Sequence, residues 1–152
     1  MKLPTAVGIL VILGICGCGE PVERIAETQS GRPEAIFRGM DTETAASRVA
    51  SMCLQQGLRV DNHTNNQVVC SGQLQGGEAI MAQVLIGNSY STTPVGRLTY
   101  SFIQEGRDVR AYGQGQVSTQ MALGQVNSFD TNGNADFNAI TQSLLAAGAV
   151  LP

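Results

Sequence analysis

The chain has 152 residues, 14% of them charged, and a net charge of -3 at pH 7. That length holds one domain with a short extension. The acidic balance, with a pI near 5.0, excludes nucleic-acid binding through a basic patch. One histidine, His63, argues against a multi-histidine metal centre and against histidine-dependent catalysis.

The N-terminus opens Met1-Lys2-Leu3-Pro4 and continues with an apolar run from Ala6 to Ile15. Ten helical residues rise about 15 Å, half of a ~30 Å hydrocarbon core. One positive side chain before a short apolar run is the plan of a secretory signal peptide. The run ends Ile15-Cys16-Gly17-Cys18. These residues resemble the lipobox of bacterial lipoproteins: an aliphatic residue, a tolerant position, a small residue, then cysteine. Cys16 follows Ile15, which is too large for the small position. Cys18 follows Gly17 and fits. The resemblance covers residues 1–18 only. It implies that 1–17 is a signal peptide removed by signal peptidase II, and that Cys18 is lipidated. Several acyl chains anchor a protein stably where one is marginal. In Gram-negative members of the class, Asp after the lipidated cysteine favours inner-membrane retention. Gly19 stands there instead, so in such a host the resemblance implies the periplasmic side of the outer membrane. A soluble secreted protein and an uncleaved anchor are the competing readings.

Residues 18–39 read as the lipidated cysteine and a flexible tether. Pro21, Gly31, Pro33 and Gly39 break any period. Fully stretched, about 20 residues reach ~70 Å. Residues 40–152 read as a single α+β domain.

The spacing of Ala45, Val49, Met52, Cys53 and Gln56 predicts a helix from Thr42 to Gln56. Asp41 or Thr42 is placed to cap it, and Gly57 to end it. The period then changes to two. Leu58–Val60 and Gln67–Gln73 read as strands around an Asn-rich turn. Glu78–Ile86 reads as a third strand and Gly87–Pro94 as a polar loop.

Val95–Glu105 and Asp108–Thr119 form the clearest hairpin. Gly106 at the first central position of Glu105-Gly106-Arg107-Asp108 suits a type II′ turn. That turn sets the register, placing Leu98, Tyr100 and Phe102 opposite Gly115, Gly113 and Ala111. Large residues facing glycines resemble aromatic rescue. The other face pairs Ile103 with Arg110 and Ser101 with Tyr112. After Gly124 comes an Asn- and Gly-rich loop. A last helix runs from Asn134 to Ala147, with Phe137, Ile140, Thr141, Leu144 and Leu145 on its stripe and Gly148 at its end. The expected architecture is a five-stranded antiparallel meander with both helices on one face.

Cys53 and Cys70 remain as an even pair in an exported chain, and a disulfide between them suits an oxidising setting. On that architecture the first helix faces the inner side of the second strand, where Cys70 points. Two buried thiols are the alternative. A catalytic thiol is disfavoured because no histidine or acid stands beside either cysteine.

Candidate sites are few. Asp130, Asn132, Asn134 and Asp136 alternate as in a calcium loop. Yet glycine is fourth rather than sixth, and Thr141 stands where the closing Glu belongs, so an Asx-rich turn capping the last helix is the better reading. Asn62-His63-Thr64 and Gly113-Gln114-Gly115 lack the settings that glycosylation and phosphate loops require. No nucleophile–base set is readable, and no cofactor is indicated. Val69, Met81, Leu85, Arg97, Ile103, Arg110 and Tyr112 fall on the sheet face opposite the helices and form a candidate partner surface. The expected function is a non-catalytic interaction or assembly module of the envelope. It would be held by lipid at the membrane and would have a protein partner. A lipid or small apolar ligand carrier is the alternative, and a hydrolase with an unrecognised site the second.

Overall fold

The computed structural model describes residues 21–75, 93–121 and 124–152. Cys18, the expected strand 78–86, and Met81 and Leu85 within it lie outside those residues.

Strand β1, Glu34–Phe37, precedes helix α1, Thr42–Gln55. Strands β2 (Arg59–His63), β3 (Gln67–Gln73), β4 (Val95–Glu105), β5 (Asp108–Gln120) and β6 (Val126–Thr131) follow, then helix α2, Asn134–Ala146. The fold class is α+β. All six described strands pair antiparallel in one sheet, in the order β1-β5-β4-β3-β2, with β6 also on β5.

Local chemistry accounts for the expected elements. Asp41 accepts the Thr44 amide at 2.8 Å and caps α1. Gly57 ends α1 with φ at 77°, a conformation that side chains disfavour. Gly106 turns the hairpin with φ at 65° while Arg107 keeps a negative φ, as a type II′ turn requires. The β4–β5 register is the one that turn dictates, with Leu98 opposite Gly115, Tyr100 opposite Gly113 and Phe102 opposite Ala111.

Both helices lie on one sheet face. Ala45, Val49, Met52 and Cys53 of α1 and Ile140 and Leu144 of α2 bury against Phe37, Val68, Tyr100, Phe102, Val109 and Ala111. Phe37 and Phe102 meet tilted, with centroids 6.4 Å apart. The buried Tyr100 hydroxyl shares a 2.7 Å hydrogen bond with Ser143, whose own hydroxyl also reaches the Ile140 carbonyl. Burial pushes the Tyr100 pKa up. A disulfide joins Cys53 of α1 to Cys70 of β3, both fully buried, with Cα atoms 6.3 Å apart.

The sheet differs from a plain meander in three ways. β3 pairs directly with β4, from Gln67 opposite Ser101 to Gln73 opposite Val95, where the plain meander expected the strand 78–86 as the neighbour of β3. β1 lies within the expected tether, pairing with β5 from Val109 to Tyr112. Its other edge pairs through Ile36 with Val150, by hydrogen bonds of 2.8 and 2.9 Å. β6 forms where a loop was expected, because β5 is long enough to offer residues 115–120 as a template. Both β1 and β6 therefore share one edge of β5, end to end. The glycines of β5 face large cross-strand neighbours as expected, and they also make room on the helix side. A Cβ on Gly113 would stand 2.2 Å from Ile140 Cγ2, so this glycine admits helix α2, whereas one on Gly115 would first meet Thr131 Oγ1 of β6 at 2.3 Å. The cap of α2 is Gly133, with no side-chain bond, so the Asx cap expected there is absent.

Candidate functional site

The sheet face opposite the helices is built from alternate residues of β3, β4 and β5. The register lays Val69 beside Thr99 and Gln114, and Gln67 in a row with Ser101, Tyr112 and Glu34. Ile103 pairs with Arg110, and Arg97 lies between Ser71 and Gln116. The five described residues of the expected partner surface thus share one face. They do not form one apolar patch. Thr99 and Ser101 separate Val69 from Ile103.

Ile103 and Tyr112 do come together. They line a shallow recess of about 330 Å³ with Thr99, Ser101, Gln114 and, from the N-terminal segment, Ser30 and Arg32. Ile103 is 52% exposed, a large apolar side chain held open to solvent. Ser30 and Arg32 carried no local signal for this role. Pairing of the adjoining Pro33 and Glu34 with the distant Gly113 and Tyr112 brings them to the face.

Arg110 is engaged within the protein. Its guanidinium donates to Glu34 Oε1 at 3.2 Å and to Glu105 Oε1 at 2.8 Å. Glu105 holds the Arg110 pKa up, and Arg110 holds the Glu105 carboxyl down. Glu34 is 1% exposed and also accepts the Ser30 hydroxyl. A buried carboxylate needs such partners. Among the described residues no buried side-chain nitrogen or oxygen lacks a hydrogen-bond partner. Asp61, near Arg97, is held below the usual carboxylate range by the Ser71 hydroxyl and by Arg59, whose Nε is 2.7 Å away.

A second recess, about 320 Å³, lies at the seam where β1 and β6 meet along β5. It is lined by Arg24, Gly113, Gln114, Gly115, Asp130, Asn132 and Phe137 among others. The Arg24 guanidinium sits 4.5 Å over the Phe137 ring and donates Nε to Asn134 Oδ1 at 3.0 Å. That oxygen is one a calcium loop would need, and a guanidinium there bars a second cation from it. Asp130 lies in β6 with Gln116 3.4 Å away, and Asp136 in the first turn of α2. Among the described residues no group of three or more His, Cys, Asp or Glu is placed to hold a metal.

Buried side chains of both helices pack against the sheet. At the end of this interface, beside Leu58, Leu98 and Val117, a recess of about 220 Å³ opens. His63 is exposed on β2. No helix among the described residues is long and apolar enough to cross a membrane. No protein-family model matches the chain, and no curated protein is significantly similar to it.

Proposed function

We propose that the protein is a lipid-anchored lipoprotein of the cell envelope whose domain is a non-catalytic docking module, facing the periplasm from the outer membrane in a Gram-negative host. The observation that carries this reading is the exposed Ile103, set beside Tyr112 in a recess on the sheet face away from both helices. An antiparallel sheet ordinarily keeps polar residues on its wet face, so a large aliphatic side chain in a recess there suits a partner. The Cys53–Cys70 disulfide supports an oxidising, extracytoplasmic setting. The lipobox resemblance at Cys18 supplies the anchor.

The test is a photo-crosslinking residue at Ile103 in intact cells, with the same probe at Leu54 as control. Leu54 is 63% exposed but lies on α1, behind the sheet. A discrete adduct from Ile103 alone is expected. No adduct at Ile103, or equal adducts from both positions, refutes the docking face. Separately, Cys18→Ser should release the protein from membranes.

A further inference from the structure

We propose that residues 22–25 form a latch that holds this domain close against the bilayer, and that the exposed side chains of Val22 and Ile25 within it are the surface that meets lipid. The inference rests on the lipid anchor at Cys18 proposed above.

The latch is made by two asparagines one turn apart on α2. Asn138 donates to the Glu23 carbonyl at 2.7 Å and accepts the Ile25 amide at 2.9 Å, pairing with the chain as a neighbouring strand would. Asn134 donates to the Val22 carbonyl at 2.8 Å and accepts Arg24 Nε at 3.0 Å. Arg24 then covers Phe137 and donates to the Gly31 carbonyl at 3.2 Å. Each asparagine uses both ends of its amide on this segment. From there to β1 the chain is folded rather than slack. The Thr28 hydroxyl donates to the Arg32 carbonyl at 2.7 Å, and the Gly31 amide to the Thr28 carbonyl at 3.1 Å.

Chain geometry gives the consequence. Were 18–33 free, the anchor could stand about 55 Å from the domain. With Val22 pinned, the four residues from Cys18 to Val22 span at most about 14 Å. The end of the domain at the start of α2 is therefore held at the membrane. Val22 is 54% and Ile25 39% exposed there, two aliphatic side chains facing outward where the anchor brings lipid. The hairpin turn at Gly106–Arg107 lies at the other end of β5, about 26 Å along the strand from Gly115 at the seam.

The processed, lipidated full-length protein in phospholipid vesicles tests this. A donor dye is placed through Glu23→Cys or through Arg107→Cys, with an acceptor on the lipid headgroups chosen so that its transfer range is shorter than the length of β5. Strong transfer from position 23 and weak transfer from position 107 are expected. Asn134→Ala combined with Asn138→Ala should leave the first and broaden the distribution of the second, because the freed segment lets the domain both lift and turn. The same pair should speed tryptic cleavage after Arg24 on the order of tenfold, the effect of losing a few exposed hydrogen bonds. Vesicle flotation reads the anchor by itself. A protein that does not float overturns the anchor and the membrane orientation with it. A protein that floats with equal transfer from both positions, or whose cleavage ignores the asparagine pair, overturns the latch alone.

Discussion

Gly113→Ala should destabilise the domain because of helix α2, although alanine is the better residue for an isolated strand. The added Cβ would stand 2.2 Å from Ile140 Cγ2 and 3.6 Å from Tyr100 Cε1. Carbon pairs rest at about 3.5–4.0 Å, so Ile140 or its helix must retreat by more than 1 Å or so. Ile140 is 4% exposed and sits in the middle of α2 against the sheet, and although it also lines the recess at the seam, moving toward that recess pulls it from its packing in the core. Overpacking of this kind costs roughly 1–3 kcal/mol. Relief of glycine's backbone freedom returns about 0.5–1 kcal/mol, so a net loss of about 1–2 kcal/mol is expected. Urea unfolding with the disulfide intact measures it. The decisive comparison is a double-mutant cycle with Ile140→Ala, which removes Cγ2. Ile140→Ala alone should cost about 2–5 kcal/mol, but in its background Gly113→Ala should cost nothing or stabilise. Equal costs in both backgrounds would refute the argument, since the two positions would then be independent.

Two further outcomes follow from the same contacts. The Cys53–Cys70 bridge closes a separation of 17 residues and should contribute about 3 kcal/mol by chain entropy; Cys53→Ala with Cys70→Ala lowers the urea midpoint to match, and reductant then has no further effect. Acid should also weaken the fold. Asp41 is held low chiefly by the Thr44 amide, Asp108 by the Gly39 amide and Glu105 by Arg110. A depressed folded pKa adds stability above the unfolded value that is lost as pH falls through the folded one. The urea midpoint should therefore stay flat well above pH 4.5 and fall as pH drops past 3.8. Asp41→Asn, which keeps a capping oxygen, should remove part of that fall; an unchanged acid profile counts against the cap.

The legible elements were those whose cause is local. Asp41 and Gly57 bracket α1 by backbone chemistry within a few residues. Gly106 sets a turn, and the turn sets all eleven pairs from Glu105–Asp108 to Val95–Ser118. The cysteine pair followed from where α1 faces β3. β1 and β6 were illegible for the opposite reason. β1 is four residues between Pro33 and Gly39, buried on both faces, so it shows no alternation, and Glu34 within it looks like a surface residue. β6 is mostly polar, and Val126 is 64% exposed, so its strand character comes from pairing with β5. On the open face, the pattern found Ile103 and Tyr112 but could not find Ser30 and Arg32, which reach the recess only through the folded N-terminal segment.

β5 connects these cases. At 13 residues it is longer than its hairpin partner β4, at 11, and it exposes a whole second edge. An unpaired edge of that length must be covered. Two short strands cover it in turn, and they leave a seam at Gln114 where their ends meet. The same seam receives Arg24, Phe137 and the start of α2. The N-terminal segment is thus fixed through asparagines more than 100 positions away in sequence, by the same edge that draws in β1. A composition that reads as a linker becomes part of the domain because β5 needs a neighbour. Weakening the β1–β5 pairing should therefore loosen the latch, even though none of its hydrogen bonds is touched.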